Sequence, residues 1–165
     1  MLSSLGFQAE EITIGKMKRF KDILNEIGDR PMNINTFYLK SDGNLYAQAK
    51  DPKLDIDLKV NIEQEGFADP QKFVADFTVN DKNTQTGTGN EFLIFATVRK
   101  ILDRWFDEYK DWKVLAFSSF KDKNDVNDSG RQKLYARFAN NIAKKFNARV
   151  KRVEKNVETY YRIIR

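Results

Sequence analysis

The chain has 165 residues, a net charge of +5, and neither cysteine nor histidine. The missing cysteine excludes disulfides and thiolate nucleophiles, and the missing histidine excludes imidazole bases, Ser-His-Asp triads and histidine-ligated metals. The length fits a single domain, residues 1–165, and an apolar fraction of 41% with 13% aromatic residues is enough for a packed core.

The first predicted element is a helix within residues 8–27. Its apolar positions recur at spacings of three and four, as a helix with one buried face requires. These positions are Met17, Phe20, Leu24 and Ile27. Gly28 supplies the C-terminal stop, and Pro31 prevents the helix from resuming.

A run of strands is predicted next. Residues 36–39 and 45–49 flank 41–44, whose sequence Ser-Asp-Gly-Asn is typical of a hairpin turn. Residues 54–62 alternate strictly between apolar and polar side chains, and residues 73–79 repeat that pattern. Each of these strands is therefore expected to bury one face and expose the other.

Helices and strands alternate in the second half. Apolar side chains at helical spacing predict a helix over 92–109, and the apolar run 112–119 predicts a central strand buried on both faces. Apolar positions within 134–146 predict another helix, and 149–165 predict one or two closing strands. This order predicts an α/β (α+β) domain with a mixed, mostly antiparallel sheet and helices on both faces.

Positive charge is concentrated at the end of the chain. Residues 131–165 hold eleven Lys and Arg against Glu154 and Glu158, a net +9, which leaves −4 for residues 1–130. Such a basic segment indicates either a site for a polyanion or a solvated surface without a specific partner.

A glycine-containing loop, residues 80–90, lies between a predicted strand and the N-terminus of a predicted helix. Its Gly87-Thr88-Gly89 could let the backbone approach a phosphate, or could simply form a tight turn with a helix cap. The sequence contains no P-loop, and this loop lacks the third glycine and distal acid of a dinucleotide-binding fingerprint.

The order of elements over residues 73–165 resembles the C-terminal half of the GNAT N-acetyltransferase family, with residues 1–72 as an N-terminal helix and the first strands. The segment Thr84-Gln85-Thr86-Gly87-Thr88-Gly89 resembles the family's Gln/Arg-x-x-Gly-x-Gly/Ala loop, and Leu134-Tyr135 resembles the Leu-Tyr of a later helix. The overall pattern also resembles small GNAT-like proteins encoded by tailed bacteriophages.

This resemblance implies acetyl-CoA as cofactor and an amine as acceptor. The implied cofactor-binding residues are Val79, Thr84, Thr86, Gly87, Thr88, Gly89 and Asn90. Tyr135 would protonate the departing thiolate, and backbone amides around Thr78 and Val79 would polarise the carbonyl. Alternatively, Tyr135 is a core residue on an apolar stripe.

The residue that would act as general base is not fixed by the sequence. Five residues are candidates, because they lie on predicted strands next to the loop or at the end of the central strand. They are Glu63, Glu65, Asp76, Ser118 and Ser119.

Three functions therefore remain open. The chain is an N-acetyltransferase, or an inactive GNAT-like phage protein that binds a host or virion protein, or a nucleic-acid-binding protein whose basic end uses Tyr160 and Tyr161 for stacking. The absence of an apolar run of about 20 residues predicts no membrane helix. Since the N-terminus also lacks a signal-peptide pattern, we expect a cytoplasmic protein, in the host cytoplasm or the virion if phage-encoded, without a metal site.

Overall fold

The computed structural model describes residues 30–66, 69–81, 90–120, 129–155 and 158–165. The described elements are seven strands and two helices. The strands are β1 (Ile34–Leu39), β2 (Leu45–Asp51), β3 (Ile56–Gln64), β4 (Lys72–Val79), β5 (Val114–Phe120), β6 (Arg149–Glu154) and β7 (Glu158–Ile164). The helices are α1 (Glu91–Glu108) and α2 (Ser129–Lys145). The helix predicted within residues 8–27 lies outside the described residues.

All seven strands form one sheet, in the order β1-β2-β3-β4-β5-β7-β6. Neighbouring strands are antiparallel except β4 and β5, which are parallel. The predicted mixed, mostly antiparallel sheet is therefore confirmed, as is the closing pair of strands after α2.

Both described helices lie on the same face of the sheet, which we call the helix face. Phe77 of β4 and Phe117 of β5 point to this face, where Phe95 of α1 contacts Phe77 and Tyr135 of α2 contacts both. The prediction of helices on both faces is therefore wrong for these two helices. The connections β4-α1-β5 and β5-α2-β6 advance in the same direction across the sheet, and right-handed crossovers then place both helices on one side.

The predicted alternation of buried and exposed residues is confirmed in β3. Ile56, Leu58, Val60 and Ile62 of β3 are buried on the helix face, while the residues between them are partly exposed. The predicted start at residue 54 is wrong, because Leu54 is 46% exposed and belongs to a turn in which the Asp51 carboxylate accepts the N–H of Lys53 and of Leu54.

The predicted central strand is also confirmed. β5 pairs with β4 on one side and β7 on the other, and Val114 to Phe117 are all buried, so residues on both of its faces are covered. The core is largely aromatic where α1 crosses β4, since Trp105 contacts Phe73 edge-on with ring centroids 5.2 Å apart. In the described part of the chain, no helix has the length and apolarity needed to cross a membrane.

Candidate functional site

The parallel strands β4 and β5 pair over only part of their length. Their register covers three residue pairs, ending at Val74 and Ala116, whereas β4 continues to Val79 and β5 to Phe120. The two strands therefore separate toward their C-terminal ends. We call this gap the split. In α/β sheets, ligands bind at the carboxyl ends of strands at a crevice of this kind.

The register also determines which backbone groups face the split. Asn80 donates its N–H to Asp57, and Glu65 donates to Lys72, so the even-numbered residues of β4 bond to β3. The N–H of Val79 consequently points toward β5, into the split. The N–H of Thr78 points toward β3, away from the split.

The N-terminus of α1 lies at the same end of β4 as the split. Near its end α1 packs Trp105 against Phe73 at the start of β4, and near its beginning it packs Phe95 against Phe77 further along β4. α1 is therefore antiparallel to β4. Asn90 precedes the helix and its carbonyl accepts the N–H of Ile94 at 3.0 Å, so the positive end of the helix dipole lies near the split.

Tyr135 covers the split on the helix face. Its ring centroid lies 6.2 Å from Phe77 of β4 and 6.0 Å from Phe117 of β5, and both of these residues follow the last paired position of their strands. The Tyr135 side chain is 8% exposed and also contacts Phe95 edge-on at 5.1 Å. The tyrosine thus bridges the two diverging strands, as well as packing in the core.

Acidic side chains lie on the opposite side of the sheet, which we call the far face. Asp76 of β4 lies there and is only partly shielded from solvent, opposite Asn61 and diagonal to Glu63 of β3. Partial burial of the carboxyl raises the pKa of Asp76, and the negative charge of Glu63 raises it further, while the N–H of Phe77 acts in the opposite direction. Asp76 follows Val74, the last residue of β4 that pairs with β5, so its position on the strand borders the split.

Across the split, Glu158 connects two residues of the far face. Its carboxylate accepts hydrogen bonds from the Tyr160 hydroxyl at 2.6 Å and the Ser118 hydroxyl at 3.4 Å. The bond from Tyr160 to Glu158 raises the pKa of that tyrosine. Sequence reasoning missed Glu158, because only the β5–β7 register, which pairs Ser118 with Tyr160, brings these residues together.

The predicted site residues divide into three groups. Val79, Asn90 and Tyr135 lie around the split as described above. Thr84, Thr86, Gly87, Thr88 and Gly89 lie outside the described residues. Among the candidates for the base, Asp76 borders the split, whereas the Glu65 carboxylate is held in an ion pair with Arg162.

The raised pKa of Asp76 predicts that its ionised form destabilises the fold. This penalty is absent below the unfolded-state pKa of about 3.9 and complete above the folded-state pKa. We therefore expect Asp76→Asn to increase the free energy of unfolding at pH 7, by less than about 1 kcal/mol because the side chain is exposed. The gain should vanish as the pH falls toward about 3.5.

Urea denaturation of both proteins at pH 7 and pH 3.5 measures this difference. Asp111→Asn provides the matched control, because Asp111 is exposed and lies outside the sheet. A variant at position 76 that is no more stable than wild type at pH 7 contradicts the prediction.

Within the described ranges, no group of three or more acidic side chains is arranged to hold a metal ion. Comparison of the chain with protein-family models, with curated proteins and with solved structures finds no match.

Proposed function

We propose that the chain is an acetyl-CoA-dependent N-acetyltransferase with a GNAT-like fold. The observation that carries this proposal is the split between β4 and β5, with Tyr135 above it and the N–H of Val79 facing into it. The resemblance to the family rests on the sequence around the same residues, whereas the pairing of β4 with β5 is known only from the structure.

The residues around the split suit the chemistry of this cofactor. The edge of β4 beyond Val74 offers alternating N–H and C=O groups, which can pair with the amides of an extended pantetheine chain. The N-terminal amides of α1 lie at the same end and suit the pyrophosphate. When bound, acetyl-CoA supplies a thioester whose acetyl group an amine can accept.

Three groups of the chain would then each contribute to the acetyl transfer. The N–H of Val79 would donate to an oxygen that gains negative charge during attack. The Tyr135 hydroxyl would hold the proton that the departing sulfur requires. Asp76 would accept a proton from the amine, and its raised pKa makes it a better base than an ordinary aspartate.

The electrostatics of the far face favour an amine as acceptor. Glu63 and Asp76 lie on one side of the split and Glu158 on the other, so a cationic ammonium group would be attracted to this opening. The anionic cofactor would instead meet the positive end of the α1 dipole. The two ligands would thus be attracted to different sides of the sheet.

The experiment that tests the proposal is a thermal shift with acetyl-CoA and with free CoA. At a hundredfold excess over Kd, we expect a rise in melting temperature of about 5 to 10 °C. Gly87→Trp should abolish this rise by blocking the loop, whereas Gly66→Trp should retain it. Gly66 is the matched control because it follows β3 at the other end of β4, and an added Cβ there would meet nothing within 4 Å.

An unchanged melting temperature at millimolar acetyl-CoA would show that the chain does not bind this cofactor, and it would overturn the proposed acetyl transfer. A shift that persists in Gly87→Trp would reject the loop as part of the site.

A second candidate is a GNAT-like protein without catalysis that binds another protein. The burial of Tyr135 among Phe77, Phe95 and Phe117 favours it, because such contacts also explain a purely structural tyrosine. Co-purification of a partner with wild type, together with an unchanged melting temperature in acetyl-CoA, would support this candidate.

Nucleic-acid binding is the third function that the sequence leaves open, with Tyr160 and Tyr161 as the predicted stacking residues. Tyr161 is 1% exposed and stacks on Phe117 in the core, so the prediction that it forms a platform for bases is wrong. The ring of Tyr160 remains partly exposed, with the Lys155 ammonium 4.9 Å from its centroid.

A further inference from the structure

A groove of about 420 Å³ lies between the end of α2 and the edge strand β6. Three asparagines line it, namely Asn140 and Asn141 of the last turns of α2 and Asn147 of the following turn. Lys144 and Val150 also line it, and the remaining two lining residues are alanines. The groove therefore combines amide groups, which both donate and accept hydrogen bonds, with a small apolar floor.

The groove results from the tight connection between α2 and β6. Asn147 adopts a φ of 51°, and the N–H of Ala148 donates to the carbonyl of Ala143 at 2.8 Å, which closes the helix and turns the chain back at once. β6 consequently begins beside the last turn of α2, at the end of the sheet.

The outer edge of β6 can accept another strand. Lys155 donates its N–H to Glu158, so the odd-numbered residues of β6 bond to β7. The N–H and C=O of Val150 therefore point outward, toward the edge, while its side chain lines the groove. Within the described chain β6 is the terminal strand of the sheet, and such an edge is a template for strand addition.

The surface around this edge is basic. Lys144, Arg149 and Lys151 are exposed, and none of the seven residues that line the groove is acidic. Glu154, at the far end of β6, lies 3.5 Å from Arg152. The two lysines in the last turn of α2 also offset the negative end of its dipole.

We propose that this groove and the edge of β6 dock an acidic, extended segment of a partner protein, which adds a strand to the sheet beside Val150. The exposed basic side chains of Lys144, Arg149 and Lys151 supply the charge complementarity, and the asparagine amides offer hydrogen-bond donors and acceptors beside the added strand. This inference concerns the end of α2 remote from Tyr135, and it does not depend on the proposed acetyl transfer.

Two other occupants fit less well. A second copy of this chain would bring the edge residues Arg149 and Lys151 against their own equivalents, and like charges across paired strands are unfavourable. Proteins that bind single-stranded nucleic acid commonly stack its bases on aromatic side chains, and none of the groove's lining residues is aromatic.

The test is fluorescence anisotropy with a fluorescein-labelled ten-residue peptide of alternating valine and glutamate. The full chain should bind it at low salt, and the double variant Lys144→Glu, Arg149→Glu should bind about tenfold more weakly or worse. A peptide whose amide nitrogens facing β6 are N-methylated should also bind about tenfold more weakly. It keeps its charge but cannot form the backbone hydrogen bonds with β6.

A substitution in the protein tests the same backbone hydrogen bonds between β6 and the peptide. Val150→Pro removes an N–H that points away from β7, a change that edge strands tolerate, and it should weaken peptide binding about tenfold. Val150→Ala keeps the N–H and should bind within about twofold of wild type. Circular dichroism checks that both variants fold. If Val150→Pro does not fold, the N-methylated peptide still tests the backbone pairing.

Several results would overturn the proposal. They are failure of wild type to bind the peptide, equal binding by the charge-reversed variant, and equal binding of the N-methylated peptide. Displacement of the peptide by a twelve-residue oligothymidine of higher affinity would assign the surface to nucleic acid instead. Sedimentation of the free protein as a dimer that Val150→Pro dissociates would assign the edge to a second copy.

Discussion

Tyr135→Phe is expected to lower kcat about a hundredfold, the usual size of a general-acid contribution. Stability should fall by no more than about 1 kcal/mol, because the phenylalanine ring keeps the contacts with Phe77 and Phe117. Release of free CoA with a panel of polyamines and lysine peptides measures the rate, and thermal denaturation measures the stability.

Tyr109→Phe is the matched control for this substitution. Tyr109 is a partly buried tyrosine in contact with Phe73 and Trp105, but it follows the opposite end of α1 from the split. Its loss of a hydroxyl should leave kcat within about twofold of wild type, since no catalytic proton is involved. If both variants retain full activity, Tyr135 is a core residue and the general acid lies elsewhere.

The donor of the acetyl group provides a further check on the role of Tyr135. A leaving group of low pKa departs without a proton, so the rate deficit of Tyr135→Phe should shrink with the acetyl thioester of an aromatic thiol. A deficit that stays the same with both donors indicates that the variant has disturbed the positions of Phe77 and Phe117 and has not removed an acid.

Local patterns predicted most of the described elements, because each strand or helix has its own repeat of apolar side chains. The alternation in β3 is an example, since Ile56 to Ile62 bury every second residue as predicted. The predicted start of that strand failed where a side chain competed with the pattern. Asp51 binds the backbone of Lys53 and Leu54 and holds them in a turn, which an alternation of apolar residues does not reveal.

The candidate site was only partly predictable, because its geometry depends on how distant segments pair. Resemblance to a family pointed to Tyr135 and Val79, but only the β3–β4 register separates the amide of Val79 from that of Thr78. Glu158 and Ser118 are 40 residues apart and meet only through the β5–β7 pairing. The raised pKa of Asp76 likewise depends on partial burial of its carboxyl and on Glu63, which faces it diagonally from the adjacent strand.

Gly43→Ala is expected to lower the free energy of unfolding by about 2 to 4 kcal/mol. Gly43 has a φ of 94° in the turn between β1 and β2, a conformation that costs energy for any residue with a Cβ. A Cβ there would lie 2.7 Å from ring atoms of Tyr109 and 2.8 Å from Phe73. The Gly43 carbonyl also accepts the indole N–H of Trp105 at 2.8 Å, so the turn cannot easily move away.

Urea denaturation compares this variant with Gly66→Ala, whose added Cβ would meet nothing within 4 Å. The control should stay within about 0.5 kcal/mol of wild type, and equal losses in the two variants would show that the turn does not pack on α1 in solution. The contact matters for the site because Phe73 and Leu115 are partners in the short β4–β5 pairing. Since that pairing forms the closed end of the split, a disturbed Phe73 should also reduce the thermal shift produced by acetyl-CoA, whereas Gly66→Ala should leave it unchanged.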